Sequence, residues 1–136
     1  SYGEYGDRID GTGIFAYVCR NNKPLRLTQQ ELENHQMWKS LEKYRETHPP
    51  LRGWLAVPLV STSGKNFGMI QVSDKHEGDF TESDEAILLQ LSQIASAAIE
   101  NGHLLMREQE AVRARDEFLS IASHELNTPL TSLKLQ

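Results

Sequence analysis

Hydrophobic and polar positions change their spacing several times along the 136 residues, and each spacing predicts an element. Residues 1–13, SYGEYGDRIDGTG, mix glycine with polar groups and show no apolar period, which predicts a loop. The run IFAYVC at 14–19 is short and apolar throughout, and it fits either a strand or a buried helical turn. RNNKPLRL then predicts a turn followed by extended chain. Thr28 with Glu31 three residues on has the form of a capping box. From there Leu32, Met37, Trp38, Leu41 and Tyr44 fall roughly on one helical stripe, which predicts a helix that the diproline Pro49-Pro50 ends.

Two strands follow. WLAVPLV (54–60) and NFGMIQVS (66–73) flank STSGK, whose Gly64 suits a hairpin loop. Pro58 has no N–H to give a ladder, so it predicts an edge strand or a bulge. After DKHEGDF comes a second helix start, Thr81 with Glu82, Asp84 and Glu85 in the first turn.

The pattern then stays helical nearly to the last residue. Leu91, Ala98, Leu105, Val112, Leu119, Leu126 and Leu133 recur every seven residues. The companion row three residues on reads Ile94, Asn101, Glu108, Arg115 and Ala122, apolar at its ends and polar in its middle. A strict coiled coil keeps both rows apolar. The expected organisation is a domain-ending helix, a polar connecting helix over 101–115, and a bundle-forming segment from Asp116. Asn101-Gly102 would suit a helix C-cap, but the unbroken seven-residue row favours one continuous helix.

Composition narrows the classes. The formal charge is −5 and the basic residues are scattered, so the footprint of a nucleic-acid binder is missing. No apolar run nears the roughly 18 residues that a membrane span needs. The single cysteine, Cys19, excludes an internal disulfide and fits a reducing compartment. The chain lacks an initiator Met and stops in mid-pattern, which is expected of a piece cut from a longer protein.

The chemistry worth weighing lies at His124. It stands two residues from both Ala122 and Leu126, about 200° around the helix, and so points away from the seam. Glu125 is beside it, and Thr128 is one turn on. Pro129 removes an N–H and frees the carbonyl of Glu125, loosening the helix just past the histidine. A zinc-protease motif would need a second histidine where Thr128 stands, so that reading fails. SGKN fails as a phosphate loop because Leu59 occupies its required glycine. Two readings remain, a solvated surface histidine and a nucleophilic imidazole that accepts a phosphoryl group.

DEFLSIASHELNTPLTSLKL resembles the H-box that opens the dimerisation and phosphoacceptor domain of sensor histidine kinases. The pattern is met at Phe118, Leu119, Ser123, His124, Glu125, Leu126, Thr128, Pro129 and Leu130. The resemblance implies that His124 is the phosphoacceptor, Glu125 the general base, and Thr128 a positioner of the water that dephosphorylates a response regulator. Asn127 stands where the family often has Arg or Lys, which leaves the kinase role intact but bears on partner contacts.

Residues 50–101 resemble the C-terminal half of a GAF sensor domain. That implies an α+β fold, an antiparallel sheet flanked by helices and incomplete at its N-terminus. A long helix would then lead into a dimeric bundle. The implied organisation is a partial GAF-like sensor at 1–100, a signalling helix at 101–115, and the start of the histidine phosphotransfer domain at 116–136. Some cyclic-nucleotide-binding GAF domains carry an Asn-Lys, Phe, Asp-Glu signature. Here Asp74-Lys75, Phe80, Asp84 and Glu85 follow it, except that Asp74 replaces the asparagine. An ion pair, a helix cap and a packed phenylalanine explain the same residues without a ligand, and that structural reading is favoured. Cys19 lacks the motif that accompanies bilin attachment and reads as core packing. His35, His48, His76 and His103 lack metal-ligand spacing, and no metal site is expected.

Together these resemblances imply a cytoplasmic, homodimeric sensor histidine kinase, a protein-histidine kinase as the parent, which could be attached to a membrane through other segments. ATP and Mg²⁺ would be bound by a catalytic domain not present in these residues, so the piece alone is expected to be inactive. A response-regulator receiver domain would be the phosphoryl partner, and the GAF ligand, if any, is not identified by the sequence. The rival expectation is a non-catalytic GAF regulator that binds a small molecule and dimerises through its last helix.

Overall fold

The computed structural model describes residues 13–39 and 51–134, with side chains for 13–38 and 51–127. The chain divides into two compact units, residues 1–97 and 98–136.

Among the described residues the first unit is built on a three-stranded antiparallel sheet in the order β1-β2-β3: β1 (Leu25–Leu27), β2 (Trp54–Val60) and β3 (Asn66–Ser73). The sheet is antiparallel throughout, with Leu25 opposite Ala56 and Val57 opposite Ile70. Among the described residues three helices precede β2: α1 (Gly13–Asn21), α2 (Gln29–Asn34) and α3 (Gln36–Lys39). The two readings open for residues 14–19 resolve to helix, with Ile14, Ala16 and Val18 buried. Period-two alternation along β2 feeds two clusters. Trp54 and Ala56 join Ile14, Val18 and Leu32, while Leu55 and Val57 join Leu88.

The expected helix from Thr28 to the diproline is interrupted. Its capping box is present: Glu31 N–H donates to Thr28 Oγ1 at 3.2 Å, and Thr28 N–H donates to Glu31 Oε2 at 2.8 Å. The Thr28 N–H, the larger cause, holds the Glu31 carboxyl below its ordinary range. His35 then adopts extended angles (φ −69°, ψ 126°) and ends α2. Its Nδ1 accepts the N–H of Met37 at 3.2 Å, and its carbonyl accepts from Trp38 N–H. The imidazole thus caps the N-terminus of α3 as an Asn or Asp would. Leu41, Tyr44 and the diproline, like residues 1–12, lie outside the described residues.

Pro58 does not mark an edge. It sits in the central strand, opposite Met69, past the point where β1 ends at Ala56. The expected irregularity is adjacent: the register shifts between Leu59 and Val60, and Gly68 across from it has φ +136°. There the Val60 N–H donates to Ser96 Oγ at 3.0 Å. Ser96→Ala would leave that donor without its acceptor and is expected to cost about 1–3 kcal/mol, read as a lower denaturant midpoint at unchanged slope.

The last helix, α4 (Glu82–Lys134), runs unbroken through Asn101-Gly102. Within the first unit its buried positions are Leu88, Ser92 and Ser96. Their small hydroxyls are satisfied by Leu89 O and Val60 N–H. Ile87, Leu91 and Ile94 lie on roughly the opposite side and are 66%, 51% and 68% exposed. The second unit is the remainder of α4, where Leu105, Val112, Leu119 and Leu126 of the seven-residue row are all exposed. No helix of the described residues is long and apolar enough to cross a membrane.

Candidate functional site

Two groups of residues singled out by the sequence can be placed. The first surrounds the N-terminus of α4. Asp74 ends β3 in the left-handed region (φ +56°), where Asn and Asp are the tolerated non-glycine residues. It exchanges hydrogen bonds with Arg52: Arg52 N–H donates to Asp74 Oδ1 at 2.8 Å, and Asp74 N–H to Arg52 O at 3.0 Å. The Arg52 N–H and the Ser73 hydroxyl hold the Asp74 carboxyl below its ordinary range. An aspartate therefore serves where the nucleotide-binding signature has asparagine, because the position requires an αL conformation and one acceptor.

Lys75 Nζ lies 2.6 Å from Asp84 Oδ2 and also donates to Asp79 O. The same Asp84 oxygen accepts from Thr81 N–H at 2.7 Å and from the Thr81 hydroxyl at 3.0 Å, while Asp84 N–H returns a bond to Thr81 Oγ1. This is a reciprocal cap with aspartate in place of the usual glutamate. Phe80, just before the cap, has Glu85 rather than an apolar residue one turn into the helix. It packs instead on the cluster of Leu55, Val57 and Leu88. Lys75, Asp84 and Glu85 are engaged in holding the helix start, while Asp74 ties the end of β3 to Arg52.

The Lys75 ammonium and then the Thr81 N–H depress the Asp84 carboxyl from an ordinary value near 3.8 to about 2. A carboxyl depressed by folding stabilises the native state above its unfolded pKa, and that contribution is lost as pH falls toward the folded one. The stability gap between the native chain and Asp84→Asn is therefore expected to be constant from pH 7 to about 5 and to shrink between about pH 4 and 2. Urea titrations of both proteins at each pH measure it. A gap independent of pH down to 3 would show that the ion pair does not act as described.

The second group is the H-box segment in the second unit. His124 and Glu125 both lie on α4 and are exposed. Thr128 follows His124 by four residues, about 6 Å along the helix axis, but its side chain is outside the described residues. Phe118, Leu119, Ile121 and Leu126 around it are all more than half exposed. The helix thus presents an imidazole and a carboxylate among large apolar side chains that the described residues leave exposed. Among the described residues no group of His, Cys, Asp and Glu is arranged to hold a metal. Cys19 is half-buried at the end of α1, and burial raises its thiol pKa, which suits packing rather than reactivity. Sequence reasoning passed over Arg26, which joins the first group from β1. Its only local signal was a charge between two leucines.

Known proteins share this fold. The GAF domain from an Acinetobacter phosphoenolpyruvate-protein phosphotransferase is 21% identical, over 71% of this chain and 52% of that one, with a TM-score of 0.54. A free methionine-R-sulfoxide reductase from Thermoplasma acidophilum is 15% identical, over 67% and 58%, with a TM-score of 0.52. The photoproduct state of GAF3 from Slr1393 of Synechocystis is 19% identical, over 74% and 66%, with a TM-score of 0.52. The chain thus spans little more than half the length of the first two. No curated protein matches. The model of one family, the GAF domain, matches residues 2–100, most of the chain. With the antiparallel sheet, its flanking helices and the long final helix, this makes the chain a member of the GAF domain family.

Proposed function

We propose that the chain is the sensor-to-output junction of a sensor histidine kinase, in which the GAF domain controls phosphorylation of His124. The observation that carries this is the dense H-box match centred on a histidine that α4 leaves exposed. A phosphoryl acceptor must be reachable by a separate ATP-carrying module, and an exposed helical imidazole meets that need. In the proposed step an imidazole nitrogen bonds to the γ-phosphorus of ATP, ADP leaves, and Glu125 takes the imidazole proton. ATP and Mg²⁺ would be brought by a nucleotide-binding domain of the parent protein, so the 136 residues alone act as substrate. The phosphoryl group would pass to a receiver-domain aspartate, and Thr128 would position the water that later hydrolyses that aspartyl phosphate, releasing inorganic phosphate.

The proposed protein is a cytoplasmic homodimer. An apolar row along α4 that stays exposed in the first unit (Ile87, Leu91, Ile94) and in the second (Leu105, Val112, Leu119, Leu126) supports pairing with a second copy. Glu108 and Arg115 interrupt the companion row and make 101–115 the segment whose helix packing would switch with the sensor state.

The test is labelling of the parent protein, expressed to its natural C-terminus, with γ-labelled ATP and Mg²⁺. Protein-bound phosphate that is acid-labile and base-stable is expected. A folded dimer that takes no label would replace this reading with that of a non-catalytic GAF regulator.

A further inference from the structure

β1 is only three residues long, and its alternation divides them between the two sides of the sheet. Leu25 and Leu27 pack against the cluster of Ile14, Val18, Leu32, Trp54 and Ala56. Arg26, between them, reaches the start of α4. Its Nε donates to Glu85 Oε2 at 3.1 Å and its Nη1 to Phe80 O at 3.3 Å, and its Nη2 lies 4.0 Å from Glu82 Oε1. One guanidinium therefore grips the residue before the cap and two residues of the first turn. The fork geometry that allows this is specific to arginine.

The two cations at this helix start differ in what they connect. Lys75 reaches Asp84 across nine residues of its own loop, so its pair is local. Arg26 spans 54 and 59 residues to Phe80 and Glu85 and ties a different element to the helix. Arg26 and Glu85 are each about one-third exposed, so the pair is neither fully screened by water nor deeply desolvated. The cap at Thr81 and the acidic first turn favour the helix start without Arg26. The arginine is thus not needed to form that turn; what it adds is a link.

We propose that Arg26 is a coupling residue. It transmits displacement of β1, whose leucines line the apolar cluster beneath α1 and α2, to the first turns of α4. The inference rests on the reading of the GAF body as a sensor whose output leaves through α4, and it assigns the route by which a change among the apolar residues reaches that helix. It does not depend on His124.

Hydrogen exchange on the 136-residue chain tests it as a double-mutant cycle. The native chain, Leu27→Ala, Arg26→Gln and the double variant are compared at the amides of residues 85–90, normalised to those of 69–71 in β3, on the far side of β2 from β1. Trimming Leu27 loosens β1 from the cluster. In the native background this is expected to speed exchange at 85–90 by about fivefold or more; with Arg26→Gln the same trimming should change it by less than about twofold. Equal increments in both backgrounds would overturn the proposal, as would no increment in either. Leu27→Val replaces Leu27→Ala if the latter does not fold. Because no phosphorylation is read, a negative result here is distinct from failure of the kinase reading, which the ATP labelling alone decides.

Discussion

His124→Gln is expected to remove all acid-labile phosphate from the parent protein while leaving its fold and dimerisation unchanged. Glutamine has nearly the length of histidine and can hydrogen bond, but its amide nitrogen is no nucleophile at neutral pH. His124 is exposed, so its replacement should alter stability by no more than about 0.5 kcal/mol. Loss of label therefore cannot be traced to unfolding. Two companions separate the roles. Glu125→Gln keeps the proposed nucleophile and removes the proposed proton acceptor, and should slow labelling about 10²–10⁴-fold without abolishing it. Thr128→Ala should label normally and lose activity only in dephosphorylating the receiver partner. Label that survives in His124→Gln would place the phosphoacceptor elsewhere and end the assignment.

Trp54→Ala is expected to have the largest effect on stability, about 3–5 kcal/mol. Trp54 is fully buried at the first position of the central strand, where it joins the cluster made by α1 and α2. The Phe15 ring meets it edge to face, with centroids 5.9 Å apart and planes at 76°. Its indole Nε1 donates to Gln71 Oε1 at 2.9 Å across the β2–β3 pair. Alanine would leave a cavity lined from both sides. The loss is a large share of the roughly 5–15 kcal/mol that holds a typical domain together. Trp54→Phe should cost distinctly less, since it keeps an aromatic ring against Phe15 and gives up one hydrogen bond. Circular dichroism in urea would measure both. A loss below about 1 kcal/mol for alanine would mean that this cluster is not the core.

What could be read in the chain was local. Both capping motifs could be read because their partners are three residues apart, Thr28 with Glu31 and Thr81 with Asp84. β2, β3 and their loop could be read because two short strand-forming runs flank a loop whose Gly64 takes a left-handed conformation (φ +86°), which specifies a hairpin within one stretch. The brace between Lys75 and Asp84 spans nine residues and was favoured for the same reason. The resemblances rest on contiguous motifs, of which the GAF part is shown and the H-box part awaits the labelling experiment. Helical patterning also favoured continuity through Asn101-Gly102 over a cap there, and α4 is continuous.

The rest depends on what meets what across distance. Periodicity could not choose between strand and helix for residues 14–19, since a short run that is apolar throughout satisfies both. Packing of Ile14 and Val18 with Leu32 and Trp54 accompanies the helical choice. The stripe from Leu32 to Trp38 looked like one helix because period alone does not register an imidazole turned back to cap the next turn, as His35 does. Pro58 suggested an edge or a bulge; nothing local says that its strand is central and that the missing N–H is tolerated because β1 stops short of it. In its first part α4 carries an apolar stripe of Ile87, Leu91 and Ile94 and a second face of Leu88, Ser92 and Ser96, and the sequence marks the first as the more hydrophobic. The sheet covers Leu88, Ser92 and Ser96 and leaves Ile87, Leu91 and Ile94 exposed. By itself, then, the sequence determined the β2–β3 hairpin, the last helix, the two caps and the family resemblance, all of which are set by neighbours within a few residues. Only the tertiary structure decided which face of α4 is buried and that Arg26 grips its first turn, because burial and ion pairing depend on distances in space that spacing along the chain does not encode.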